Sequence, residues 1–127
     1  MSLLDTHTWL WWVSKPSNLS RTARNKIAAE SRIGIAISCL EVATLVAKGR
    51  ISLDRDPLEW LEDALAMPKV ELVPLTPSIA VTATRLGSDF PGDPADRVIA
   101  ATSILESAPL VTKDSRIHSC AAVNTVW

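Results

Sequence analysis

The stretch Ile33-Gly34-Ile35-Ala36-Ile37 is apolar at every position, so it cannot line a half-solvated sheet. A β-branched run buried on both faces is the pattern of a parallel strand covered by helices. Similar short apolar runs recur along the chain: Leu3-Leu4, Val70–Val73, Leu110-Val111-Thr112 and a fifth at Val123–Trp127. Helical segments separate them. Thr8–Val13 is apolar and aromatic, and Pro16-Ser17-Asn18 breaks it from a basic helix that Ser20 caps and that extends to about Ser31. Ser38 is expected to cap a helix through Lys48, with Gly49 as its stop. Asp56-Pro57 opens a helix to about Met67, and Thr76-Pro77 one to about Leu86. Asp93-Pro94 opens the clearest helix, to about Ser107, with Val98, Thr102 and Leu105 on its expected buried face and Ala95 and Ala101 beside it.

Strands alternating with helices imply a parallel sheet with helices on both sides. Right-handed crossovers narrow this to an α/β fold: a Rossmann-like three-layer α/β/α sandwich around a mostly parallel sheet of four to five strands. At 127 residues, 47% of them apolar, the chain is expected to be one domain over 1–127 with a core of its own. Cys39 and Cys120 lack metal-ligand spacing and read as reduced core thiols of a cytoplasmic protein. The start, Met1-Ser2-Leu3-Leu4-Asp5, does not look like a signal peptide, and no apolar run approaches a membrane span of about 20 residues.

In such sheets, sites form beyond the carboxyl ends of the strands. Asp5 directly follows the first strand and Asp114 follows the fourth. Glu41 falls in the first turn of the helix after the second strand, and Asp96 in the first turn of the long helix before the fourth. All four can project from one edge. Three of them also have a plain structural reading. Asp5 can cap the first helix, Asp96 can complete a capping pair with Asp93, and Asp114 can stabilise a turn before Ser115-Arg116. Glu41 has no such alternative, because its helix neighbours Leu40, Val42, Ala43, Leu45 and Val46 leave an ionised carboxylate costly to bury alone. Converging carboxylates raise one another's pKa, and a hard divalent cation relieves that repulsion. His7 and His118 stand alone and read as helix or surface residues.

These pieces in order resemble the PIN-domain ribonucleases, and within them the VapC-type toxins of bacterial toxin–antitoxin pairs. The resemblance runs through Leu3-Leu4-Asp5-Thr6-His7, Ile37-Ser38-Cys39-Leu40-Glu41-Val42, the stretch Asp93 to Thr102, and Leu110-Val111-Thr112-Lys113-Asp114. It implies Mg²⁺ or Mn²⁺, one or two ions, held by Asp5, Glu41, Asp96 and Asp114. Thr6 and Thr112 are implied as supporting hydroxyls, and Asp93 as a cap or a water-mediated partner. It further implies endonucleolytic cleavage of RNA such as tRNA or rRNA, a homodimer, and a cognate antitoxin. Other readings are a PIN nuclease of RNA processing or repair and a non-catalytic protein-binding module of the same fold. A phosphorylatable signalling domain is excluded because Val70-Glu71-Leu72-Val73-Pro74 ends in no acceptor aspartate.

The charge distribution fits a polyanionic substrate. Residues 1–50 hold seven Lys/Arg against three acids, whereas residues 51–127 hold six against eleven. Arg97 beside Asp96, Lys113 and Arg116 beside Asp114, and Arg24 on the basic helix are the expected phosphate contacts. The alternative is an ordinary solvated face. Five tryptophans without a tyrosine suggest an exposed aromatic patch. Trp11 or Trp12, with Trp60 and Leu61, are expected to line a groove for an antitoxin helix; the alternative puts all of them in the core.

Overall fold

A computed structural model describes all of residues 1–127. Five strands, β1 (Ser2–Leu4), β2 (Ile33–Ile35), β3 (Val70–Leu72), β4 (Leu110–Val111) and β5 (Thr125–Val126), form one sheet in the order β3-β2-β1-β4-β5. Every pairing is parallel. The helices are α1 (Thr6–Ser14), α2 (Arg21–Ala29), α3 (Ser38–Ala47), α4 (Pro57–Leu65), α5 (Pro77–Thr84), α6 (Pro94–Leu105) and the short α7 (Ser115–His118), with a 3-10 turn at Pro16–Asn18. None is long and apolar enough to cross a membrane.

The two faces of the sheet follow from strand alternation. Leu4, Ile33, Ile35 and Val111 point to one side, where Trp9 of α1, Ile27 of α2, Val42 of α3 and Trp60 of α4 cover them. Leu3 and Leu110 point to the other, under Ile99 and Ala100 of α6 and Ile117 of α7. The helix α5 packs on α6 through Ile79, Ala83 and Ala101. This is the expected three-layer sandwich. In β2, Gly34 pairs with Leu3, and a Cβ there would lie 2.5 Å from Leu3 Cδ2. The leucine side chain takes that space, so glycine lets Leu3 lie across β2.

Three local expectations differ from the structure. Ser38 is the first residue of α3 rather than its cap; Ile37 holds the cap position with no side-chain hydrogen bond, and the Ser38 hydroxyl turns inward. In α6, Leu105 is 46% exposed, and the buried face is Asp96, Ile99, Ala100, Ala101, Thr102 and Ser103. Small residues let α6 lie close to both the sheet and α5, and that close approach fixes its rotation. The helix α7 was not expected; Asp114 caps it, accepting from the amide of Arg116. Cys39 and Cys120 are half-buried free thiols at the edges of the two main core clusters.

Candidate active site

The carboxyl ends of β1 and β4 and the N-termini of α3 and α6 meet at one edge of the sheet. Asp5 leaves β1 with both oxygens engaged. Oδ1 accepts the amide of Thr6 at 2.8 Å, and Oδ2 accepts the hydroxyl of Thr112 at 2.7 Å. The cap of α1 and the site residue are therefore the same group. Opposite it, the Thr6 hydroxyl donates to Glu41 Oε1 at 2.5 Å and lies 2.8 Å from the buried Ser38 hydroxyl. With its single proton committed to Glu41, Thr6 accepts from Ser38. This chain of buried hydroxyls fixes the Glu41 rotamer.

Asp96 is only 9% exposed, and its one polar contact is Arg116 Nη2 at 3.4 Å. Burial first, then the charges of Asp93, Asp5 and Glu41, push its pKa up to about 7. Burial likewise raises Glu41, against the Thr6 hydrogen bond, which lowers it. Asp93 caps α6, accepting the amide of Ala95 at 2.9 Å.

One oxygen from each of Asp5, Glu41 and Asp96 lies within 4.8 Å of the others. Opposite ligands of an octahedral ion stand about 4.2 Å apart, so the three oxygens can close on one cation with small adjustments. The donor set is wholly hard oxygen, without histidine or thiolate, and it fits a hard divalent cation. The crowded, mutually repelling trio points the same way, since a cation would supply the compensating charge that the one Arg116 contact at 3.4 Å to Asp96 supplies only in part. Asp114 lines the same open cavity, of about 650 Å³, but stands outside the trio. Its carboxylate is bound by Arg116 through Nη2 at 2.6 Å and Nε at 3.1 Å, which holds its pKa below the usual carboxylate range.

The expected substrate and partner residues divide. Lys113 and Arg116 line the cavity with the carboxylates, as do Thr6, Asp93 and Trp11. Arg97 does not face it. Its guanidinium donates to the carbonyls of Pro91, Ala83, Gly87 and Phe90 at 2.7–3.2 Å, bracing the loop before α6. Backbone oxygens take four of its five N–H donors and hold the guanidinium away from the cavity where phosphate contact was expected. Arg24 lies with Trp12 on a separate shallow cleft that contains none of the carboxylates. Trp60 is 3% exposed, edge-on to Trp9 at 5.5 Å in the core, and it cannot line a partner groove. Leu61 is half-buried against the same core.

Sequence reasoning missed His7, which lines the cavity from the first turn of α1. Its signal was its position two residues after a strand-ending aspartate. Leu45, one helical turn beyond Glu41, was also missed.

The PIN-domain family model matches residues 2–123. The chain is 44% identical to Ribonuclease VapC22 of Mycobacterium tuberculosis (strain ATCC 25618 / H37Rv), an alignment covering 98% of this chain and 97% of that protein. Two solved structures share the fold: VapBC2 of Rickettsia felis bound to a promoter DNA fragment, and DNA-bound VapBC of Salmonella typhimurium. The first has a TM-score of 0.72 at 16% identity, covering 98% of this chain and 96% of that one. The second has a TM-score of 0.71 at 18% identity, covering 98% and 97%. The family match and the near full-length identity establish that this chain belongs to the PIN-domain family, as a homologue of the VapC ribonucleases.

Proposed function

We propose that this protein is a metal-dependent endoribonuclease, acting in the cytoplasm as the toxin of a toxin–antitoxin pair. The observation that carries the reading is the trio of buried Asp5, half-buried Glu41 and buried Asp96, with one oxygen of each within 4.8 Å of the others. The trio would hold Mg²⁺ or Mn²⁺, with Asp114 as an outer carboxylate. When bound, such an ion neutralises phosphodiester charge and lowers the pKa of the attacking water. The chain's own residues do the rest. The Thr6 and Thr112 hydroxyls hold Glu41 and Asp5 in place before substrate arrives, so orientation is settled in advance. Arg116 and Lys113 on the cavity wall meet the phosphate backbone, which the carboxylates alone would repel.

An antitoxin partner is supported by the solved neighbours, which are VapBC assemblies. For this chain we place its contact near Trp12 and Leu61, half-buried side chains against one core cluster. A homodimer is supported by Leu40, Leu72 and Leu75, each more than half exposed around one shallow depression.

The deciding experiment is RNA cleavage by wild type and Asp96→Asn, each with Mn²⁺ and with EDTA. Cleavage is expected from wild type with Mn²⁺ alone. Cleavage that survives both the substitution and the chelator would overturn the reading.

A further inference from the structure

The cavity holding the carboxylates has twelve lining residues, and only Trp11 and Leu45 are hydrophobic. A strand of RNA seated there brings two chemistries: phosphates, which go to cations, and bases, which need an apolar or aromatic surface. The polar wall is supplied by Lys113 and Arg116, whereas the only large flat surface is the half-buried indole of Trp11.

The surroundings of that ring suit stacking. Trp127 and His7 contact it at centroid distances of 6.0 and 5.9 Å, but both are tilted, at 56° and 51°. They brace the indole without a parallel ring against it. Lys113 places its ammonium 5.8 Å from the Trp11 centroid, over the ring. Lys113 is exposed, so a base can take its place on the indole while the ammonium swings to a neighbouring phosphate. Trp11 and Lys113 come from distant parts of the chain, α1 and the loop after β4, and meet only at this cavity.

We infer that Trp11 is the platform on which a base of single-stranded RNA stacks beside the scissile phosphodiester, with Lys113 clamping the adjoining phosphate. The inference rests on the ribonuclease reading above and adds a specificity-determining residue to it. A base must be unpaired to reach the indole, so the platform selects single strands and loops over duplex.

The test uses a short single-stranded RNA of defined sequence that wild type cleaves with Mn²⁺. Abasic residues replace each nucleotide in turn, and wild type, Trp11→Phe and Trp11→Leu are compared. With wild type, one abasic position next to the cut is expected to raise KM by about 5- to 100-fold, the range for one lost base–aromatic stack. Trp11→Leu should show the same rise on intact RNA and no further loss at that abasic position. Trp11→Phe, which keeps a π-face, should restore most of the binding. An abasic scan of wild type with no sensitive position next to the cut overturns the platform, and that result does not depend on any variant folding. Unchanged KM in a folded Trp11→Leu overturns it as well and leaves the indole to a protein partner. Wild type that cleaves no RNA with Mn²⁺ fails the ribonuclease reading itself, and the platform with it.

Discussion

The Thr112 hydroxyl donates to Asp5 Oδ2 at 2.7 Å across 107 residues of sequence, and Thr112 Oγ1 in turn accepts the amide of Asp114 at 3.1 Å. One side chain thus ties the carboxylate after β1 to the segment carrying the carboxylate after β4. Thr112→Val keeps the shape and removes both bonds. It should cost about 1–3 kcal/mol of stability, because buried Asp5 loses a partner. A drop in activity of about 10- to 100-fold is also expected, the usual cost of removing an outer support of a metal site. Thr112→Ser should restore both. Thermal melts and RNA cleavage rates check it; a valine variant with full activity would separate Thr112 from the site.

The raised pKa of Asp96 makes stability depend on pH in an unusual direction. A carboxylate raised to about 7 binds its proton more tightly folded than unfolded. Its ionisation therefore costs the fold, and metal-free protein loses stability as pH rises from about 4 through 7. Glu41 is shifted in the same direction and adds to the slope. In EDTA, the melting temperature should be several degrees lower at pH 8 than at pH 5.5. Asp96→Asn should flatten that slope and melt higher than wild type at pH 8, while losing cleavage. A metal-free wild type that gains stability over this range contradicts the assignment.

Arg97 lends itself to a test that separates architecture from substrate contact. Its guanidinium spans four carbonyls of the segment between Ala83 and Pro91. Arg97→Met should lower stability by at least about 2 kcal/mol, since hydrogen bonds to a charged donor contribute more than neutral ones. The KM for RNA of the folded fraction should stay within about twofold of wild type, well under 1 kcal/mol. Urea unfolding beside steady-state kinetics distinguishes the two effects.

How far the sequence could be read depends on the range of the interaction involved. Asp5 and Glu41 were legible because a strand end and a first helical turn fix their position locally. The direction of Arg97 was not, because its acceptors belong to a loop whose path is set by the packing of α5 on α6. Leu105 follows the same logic: helical period defines a face, but the close approach of Ala100 and Ala101 decides which face turns inward. Trp60 was expected in a partner groove because five tryptophans without a tyrosine suggest an exposed patch, yet the edge-on contact with Trp9 takes it into the core. The sheet order and the reach of Arg116 to Asp96, twenty residues away, needed the fold itself.

Arg116 links the two halves of the site and should respond in opposite directions to two ligands. It binds Asp114 closely and reaches Asp96 at 3.4 Å, so it partly neutralises the carboxylates that would hold a cation. Arg116→Met removes that charge. Asp96 and Asp114 then present a more negative field, and Mn²⁺ should bind more tightly at pH 8, where Asp96 is ionised, by about threefold or more. At pH 6 the gain should shrink, because Asp96 without Arg116 holds its proton to higher pH and the proton competes with the metal. RNA should bind more weakly, with KM raised by about 5- to 10-fold and a shallower dependence on salt. Calorimetric titration with Mn²⁺ and cleavage kinetics at two ionic strengths measure the pair. Parallel weakening of both ligands would mean that Arg116 holds the site together structurally; opposed shifts identify it as a charge that the metal repels and the substrate needs.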